Sequence, residues 1–458
     1  MSVKGFKNHP YIPNSVPEVE QEMLAEIGLN SIEELHAEVP SEIVLKENMD
    51  LPEAFGSEIE LRRHVEKLLN KNSSCADNIN FLGAGCYQHY VPAICDEING
   101  KGEFLTAYGG ESYNDFGRFQ TLFEFESLMA ELVDMEVVNV PTMDYSQAAA
   151  TAIRMGARIA KKSEVLVPAN IDREKLAAIK NYCVPDLTFV EVALDKKTGC
   201  MDVADLRSKL SDKTAVVYFE NPTYLGMFEV NAKEISEAAH EAGAQCVVGV
   251  DPITLGVVAP PVSYGADIVC GDVQPLGIHM NYGGGQSGFM ATMDDPKYVL
   301  EFPSRLFGIC CTSEPGEYAF ADVAYDRTSF GHLRDQAKEY VGTQTALWGI
   351  TAGVYLATMG PEGMREVGET IMHNAQYAAK QLAKIKNVSI RFNTPFFEEF
   401  VVDFSKTGKT VEKINKKLLK HNIFGGKDLS KDFPWLGQCA MYCVTEVHTK
   451  DAELLSRR

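Results

Sequence analysis

Between Lys233 and Lys297 there is no lysine, and between Arg207 and Arg305 no arginine. This cation-free stretch is not a polar loop. It holds the apolar run Val247–Val250, closed by Asp251-Pro-Ile-Thr-Leu-Gly256, and then the run Ala266–Cys270, closed by Gly271-Asp-Val-Gln274. Runs without polar alternation belong to strands buried on both faces. Val165–Val167, Leu187–Val190, Thr214–Phe219, Cys246–Val250 and Asp267–Cys270 read as such strands, while Asp202–Leu210 and Ala232–Ala242 have helical periodicity. Strand and helix alternating in this way predict an α/β domain with a mainly parallel sheet covered on both sides.

Three zones follow. Residues 1–75 read as an N-terminal helical extension, with Val19, Met23 and Ile27 at helical spacing, a capping-box pattern at Ser31-Ile-Glu-Glu34, and a second helix over Glu58–Leu69. The zone has too few large apolar residues for its own core, so it should pack on the rest of the molecule or on a partner. Residues 76–330 form the large domain, in which Gly283–Gly288 returns the chain into Phe289–Thr292. Residues 331–458 read as a smaller α+β domain, with helices over Ala346–Met359 and Glu366–Ala383 and strands at Val388–Phe392, Glu399–Phe404 and Ala440–Thr445.

With 458 residues and 45% apolar content, the chain can bury a large core. A net charge of −21 offers no basic face for counterion release, which argues against nucleic acid. The 11 cysteines are odd in number and contain no C-x-x-C pair, with Cys310-Cys311 and Cys439/Cys443 the nearest neighbours. Buried free thiols in a reducing compartment are the expectation, and no metal site is predicted. The N-terminus lacks the apolar core of a signal peptide, and no stretch approaches the ~18 apolar residues of a membrane span. A cytoplasmic protein without membrane contact is expected.

An apolar strand ending in Asp, then a second ending at a polar turn, is the way a fold-type-I pyridoxal-phosphate (PLP) enzyme of the aspartate aminotransferase type presents its cofactor. The Asp pairs the pyridinium nitrogen and a lysine just past the second strand forms the Schiff base. Here that second position is Gln274. Beyond these residues, Tyr11-Ile-Pro-Asn14, Met23–Gly28, Ser31–Leu35, Phe81-Leu-Gly-Ala-Gly85 with Tyr87, His89-Tyr-Val-Pro92, Phe104–Tyr108 and Leu122–Phe125 recur in one family. So do Glu220-Asn-Pro222 with Gly226, Val250-Asp-Pro252, Tyr264–Val269 with Gly271-Asp272, Asn393–Phe397 with Glu399–Val402, Gly425-Gly426 and Cys443–Glu446. Over nearly its whole length the chain resembles subunit 1, the alpha subunit of the split P-protein of the glycine cleavage system.

The resemblance implies a set of expectations. P-protein decarboxylates glycine with PLP and passes the aminomethyl group to the lipoyl arm of H-protein. In the split form the cofactor lysine belongs to subunit 2, the two subunits make a heterotetramer, and subunit 1 carries Gln in the lysine slot. PLP would then be bound by the partner subunit rather than by a lysine of this chain, and the partners would be a subunit 2 homologue and lipoylated H-protein. The chain departs from the family at Gly109–Asn114, at Tyr145-Ser146-Gln147, and at His332–Lys338 with Gly342–Gln344. These departures leave open a non-catalytic scaffold, or a paralogous complex acting on another small amino acid.

Tyr87, His89 and Tyr108 are the candidate residues of a substrate channel or subunit interface, since Tyr and His can hold a carboxylate or move a proton. Asp251 and Gln274 are degenerate cofactor-site positions. Asp251 and Asp272 read as strand-end acids bonded to loop amides. Arg305 and Arg334 could neutralise a carboxylate or simply pair at the surface. Gly283–Gly288 lacks the Lys-Ser/Thr of a phosphate loop and reads as a turn, and Gly83-Ala-Gly85 lacks the third glycine of a dinucleotide fingerprint. No catalytic residue is expected in this chain alone.

Overall fold

A computed structural model describes residues 11–12, 16–45, 47, 49–104, 116–304, 306–323, 338 and 344–450. The chain divides into two compact units, Met1–Ser73 and Ser74–Arg458. In the first, α1 (Pro17–Glu26) and α2 (Glu58–Leu69) form where the periodicity places them. Pro17 occupies the first turn, where its missing N–H is not needed. Ser57 caps α2 by accepting from the Glu60 amide at 3.4 Å. Ser31 does not behave as its capping-box pattern predicts: residues Ile32–His36 close as a short 3-10 turn without a side-chain cap. Val19, Met23 and Ile27, and likewise Leu61, Val65 and Leu68, are exposed.

The second unit is built on a seven-stranded sheet. Its strands are β1 (Val137–Val138), β2 (Glu164–Pro168), β3 (Thr188–Val192), β4 (Thr214–Glu220), β5 (Gln245–Val250), β6 (Ile268–Asp272) and β7 (Gly288–Thr292). They lie in the order β1-β7-β6-β5-β4-β2-β3. Five run parallel, from β6 across to β3, and β7 and β1 close one edge in antiparallel register. Alternation along β4 shows how the layers form. Val217 and Phe219 face a core shared with Phe125 and Met129 of α3 (Phe116–Val133) and with residues of α6 (Val203–Lys209) and α7 (Ala232–Glu241). Val216 and Tyr218 face the opposite core, against α4 (Tyr145–Ala160) and α5 (Arg173–Cys183). Every residue of β4 is buried, as a central strand requires.

The long α8 (Ala346–Leu382) is two helices joined at Gly360, whose φ of 60° precedes Pro361. The break separates the two predicted helices, but the second starts several residues before Glu366, because Pro361 is tolerated in a first turn. A small antiparallel sheet follows, from β8 (Ser389–Ile390), β9 (Glu399–Asp403), β10 (Lys427–Asp428) and β11 (Cys439–Cys443), in the order β8-β9-β11-β10. Ala375, Ala378 and Ala379 of α8 pack beneath it with Phe400 and Tyr442. No helix among the described residues is long and apolar enough to cross a membrane.

The small sheet meets the large one through backbone. Phe228 N donates to Pro395 O at 2.8 Å, and Met227 bridges Phe396. Gly226 makes this approach possible. Its φ is +92°, and a Cβ there would collide with the Glu399 carbonyl. Gly226→Ala therefore combines a left-handed backbone cost of ~1–2 kcal/mol with an overpacking cost of ~1–3 kcal/mol. We expect the denaturant midpoint to fall accordingly; a variant as stable as the wild type would show that the two sheets can separate slightly at no cost.

Candidate functional site

In open α/β sheets, ligands bind in the crevice beyond the carboxyl ends of the parallel strands. Here that edge is acidic. β4 ends in Glu220, β5 runs directly into Asp251, and β6 ends in Asp272. Asp172 and Lys175 come in with α5, and Glu398 and Glu399 with the start of β9. Together with Tyr87 and Tyr145 these side chains line a cavity of about 60 Å³. That volume suits a few water molecules or an ion of similar size.

Most of the acids find donors. Asp272 accepts from the amides of Gln274 at 2.8 Å and Ser287 at 3.2 Å. Glu220 takes the Lys175 ammonium at 2.9 Å and the Tyr218 hydroxyl at 2.8 Å. Glu399 accepts from Ala84 N at 2.6 Å and from the Tyr87 hydroxyl at 3.3 Å. Asp251 accepts from Ile253 N at 3.1 Å, the strand-end capping bond expected of it. Glu446 meets His89 Nδ1 at 2.9 Å and accepts from Tyr90 N at 2.7 Å. Glu398 is different: no amide, ammonium or hydroxyl donor among the described residues reaches its buried oxygens, and its side-chain hydrogen bond is with another acid, Asp251, to which the protonated Glu398 donates. His89 Nε2, itself unpartnered, lies 3.7 Å away, beyond hydrogen-bond length.

Burial without enough cations holds protons on these acids. Burial pushes Asp251 up to about 6, against the opposing pull of His89. It pushes Asp272 and Glu399 each up to about 7, with the bonds from loop amides working the other way. Glu398 is driven well above the carboxylate range, first by burial and then by the charge of Asp251. Glu446 goes the other way: burial raises it, but the His89 ring and the Tyr90 amide outweigh that and leave it lowered.

The lysine slot is filled by a structural amide. Gln274 is buried, its Nε2 donates to Tyr87 O at 2.9 Å and Ile278 O at 3.0 Å, and its Oε1 accepts from Tyr87 N at 3.0 Å. It fastens the incoming segment to the edge of the sheet by both backbone groups of one residue. A lysine could donate here but could not accept, so the slot is specific for an amide.

A phosphorylated pyridine does not fit these residues. In such a site the phosphate needs free amides at a helix N-terminus, and at α4 those amides are taken by the chain's own acids. Asp144 accepts from Gln147 N at 2.7 Å, and Asp272 accepts from Tyr145 N. The Tyr145 ring occupies the space beside Gly249, where an added Cβ would strike its hydroxyl, and Lys175 lies over that ring at 3.6 Å. The one lysine among the lining residues is already paired with Glu220 at 2.9 Å, so the walls offer a phosphate dianion no free cation.

Of the candidates from the sequence, Tyr87, His89, Asp251 and Gln274 come together around this cavity, with Asp272. Tyr108, Gly109–Asn114, Arg305 and Arg334 lie outside the described residues. Residues 281–283 form a single turn leading into β7, in keeping with the turn reading of Gly283–Gly288. Lys175 and Glu398 were not singled out by sequence, and Glu220 and Glu446 entered only as members of the recurring motifs, without a site role. The doublet Glu398-Glu399 at the head of an apolar strand is the one local signal that could have found part of the set, since charge seldom enters a buried strand unpaired. No group of His, Cys, Asp or Glu among the described residues is arranged to hold a metal ion.

Residues 9–432 match the family model described as glycine cleavage system P-protein. A protein of Staphylothermus marinus named probable glycine dehydrogenase (decarboxylating) subunit 1 is 39% identical, over 98% of this chain and 97% of its own length. One of the same name from Pyrococcus abyssi is 38% identical, over 96% of each. Among solved structures, an inhibitor-bound glycine decarboxylase (P-protein) of the glycine cleavage system superposes with a TM-score of 0.85 at 30% identity, covering 96% of this chain and 97% of that one. A sphingosine-1-phosphate lyase from Burkholderia pseudomallei, at 13% identity and TM-score 0.65 over 90% of this chain and 91% of that one, shares the fold alone. The fold is that of the fold-type-I PLP-dependent transferases.

Two outcomes follow from the site. The folded chain keeps the Glu398 proton to higher pH than the unfolded chain, whose acids titrate near ~4. From that pH upward the folded state binds more protons, so this group's contribution to stability is lost as pH rises through its raised pKa. Glu398→Gln should therefore gain in denaturant midpoint over the wild type between about pH 5 and pH 8; a difference independent of pH would mean that Glu398 is ionised throughout. Gln274→Lys should lose stability by ~1–3 kcal/mol through the orphaned Tyr87 amide. It should also fail to bind PLP that borohydride can fix to the chain, and covalent capture of PLP would show the pocket to be open.

Proposed function

The chain belongs to the glycine cleavage system P-protein family, and we propose that it works as the subunit 1 (alpha) component of a two-subunit glycine decarboxylase. In this reading a subunit 2 homologue carries the Schiff-base lysine and binds the PLP, and the pair assembles as a heterotetramer in the cytoplasm. The cofactor, where it is bound, serves as the electron sink for loss of carbon dioxide. Lipoylated H-protein then receives the aminomethyl group. The observation that carries the reading is the combination of full-length similarity to subunit 1 proteins with the state of the lysine slot. Gln274 is built into the fold by three hydrogen bonds, so its presence is a structural commitment and not a vacancy.

What this chain supplies is shape and position. Tyr87, His89 and Tyr108 remain the candidates for the face that borders the substrate path in the complex. Tyr87 lines the cavity and its backbone is held by Gln274, while His89 is fixed through Glu446. The segment carrying them is anchored at three points, which suits a surface that must hold its form against a partner. Exposed apolar residues on α1 and α2 offer further contact area for that partner.

The test is reconstitution. Purified alone, the chain should show no glycine–bicarbonate exchange. Mixed with a lysine-bearing subunit 2 homologue and lipoylated H-protein, it should restore exchange by orders of magnitude over either subunit alone. Equal activity of the partner without this chain would assign it a scaffold role instead.

A further inference from the structure

One ring in this site is bracketed by acids. His89 is buried, its side chain 1% exposed, with Glu446 Oε2 2.9 Å from Nδ1 and Glu398 Oε2 3.7 Å from Nε2. Glu446 stays ionised, its pKa lowered as described above, so Nδ1 carries the hydrogen and Nε2 of the neutral ring presents a bare lone pair. No donor among the described residues reaches that lone pair. Glu398 meanwhile donates its proton to Asp251. The Glu398 proton therefore has two buried acceptors within reach, Asp251 in the cavity wall and His89 on the entry segment. Closing the gap from Glu398 to the ring to hydrogen-bond length takes a movement of under about 1 Å.

We infer that Asp251, Glu398, His89 and Glu446 form a pH-sensitive latch, in which a proton taken up in the cavity is answered by passing the Glu398 proton to His89 Nε2. In the open state Asp251 and Glu446 are ionised, Glu398 is a neutral acid bonded to Asp251, and His89 is neutral and held at one nitrogen. When Asp251 takes a proton from solvent it becomes the donor to Glu398, whose own proton crosses to Nε2. The ring is then an imidazolium between two carboxylates, and the four groups together have gained one proton. Burial pushes Asp251 up to about 6, whereas in the unfolded chain an Asp titrates near ~4. The folded state thus binds this proton on the acid side of about 6, and the hold it gives is lost as pH rises through that value. Glu446 uses its other oxygen on Tyr90 N at 2.7 Å, so a ring clamped from both sides also steadies the backbone of a residue exposed at the surface.

The groups that face these four keep their own states. Burial holds the protons on Tyr87, on Tyr145 of α4, on Tyr355 of α8 and on Cys443 of β11. His448 stays neutral, its pKa lowered by burial, with Nδ1 accepting from Thr445 N and Nε2 donating to Asn80 O. Lys175 of α5 is committed to Glu220 at 2.9 Å. Glu399 does titrate nearby, pushed by burial up to about 7, but it is bonded to Ala84 N and the Tyr87 hydroxyl. The test must therefore read the ring itself. The latch belongs to this chain and does not rest on its role in a complex.

NMR of the ring nitrogens in the full chain, labelled with heavy-nitrogen histidine, provides that reading, and loss of signals in His89→Gln identifies those of His89. In the wild type the ring should show one bare and one protonated nitrogen at about pH 8 and two protonated nitrogens at about pH 5. Asp251→Asn, whose amide donates to Glu398 as a protonated Asp251 would, should hold both nitrogens protonated already at about pH 8. Glu398→Gln, which removes the second anion, should move the transition to lower pH by ~1 unit. A histidine titrating by itself would respond to neither change, so either variant leaving the wild-type transition in place overturns the latch. A bare Nε2 in the wild type at about pH 5, or none at about pH 8, overturns it as well. Hydrogen exchange reads the effect on the segment. Corrected for the intrinsic rate, the amides of Tyr87 and Tyr90 should become several-fold better protected on going from about pH 8 to about pH 5, and Glu398→Gln should abolish the gain. Equal corrected protection at both pH values overturns the coupling to the segment. Should a variant fail to fold, the wild-type ring signals and exchange decide by the same outcomes.

Discussion

The segment that enters the molecule over residues 84–90 is the piece on which the site depends, and Gln274 holds it. Two bonds from one side-chain amide close on the backbone N–H and C=O of Tyr87. Glu399 secures the same segment at Ala84 N, and Glu446 at Tyr90 N. Among the described residues the segment has no sheet partner across this stretch, so side chains supply what a strand ladder would otherwise give. Each anchor comes from a different part of the chain: the turn after β6, the start of β9 and the loop after β11. The large sheet, the small sheet and the C-terminal loop are thus tied together at one place, which is also the roof of the cavity.

The sequence made the scaffold legible because the scaffold is dictated locally. The buried strands β4, β5 and β6 are continuous apolar runs, and Asp251 and Asp272 stand out as the acids that end them. The same logic failed at Ser31, where a capping pattern without an amphipathic helix behind it made only a turn. The charged half of the site was illegible for another reason. Lys175 and Glu220 are 45 positions apart, Glu399 and Ala84 315 apart, His89 and Glu446 357 apart. No periodicity in the chain reports such pairings. Only the folded topology, with Gly226 letting β9 approach the edge of the large sheet, brings them within bonding distance.

Electrostatics then explains how so many acids can share one small cavity. Four buried carboxyls with raised proton affinity would repel one another if ionised, and the fold avoids this by keeping protons on some of them and bonding the rest to loop amides. An acid that keeps its proton can sit beside an ionised one at little cost. The arrangement stays compact while its proton count is right.

The misfit between this cavity and the fold's cofactor therefore shows at independent places. The nucleophile position is an amide whose bonds hold the fold together. The anion cradle is closed because Asp144 and Asp272 take the amides of α4 that a phosphate would need. The ring space is occupied by Tyr145, whose hydroxyl lies against Gly249. Restoring a lysine would repair the first and leave the other two, with an added clash of charge against the Gln274 bonding pattern. Each of the three features also serves packing or capping, so no single substitution would open the site to the cofactor without cost to the fold.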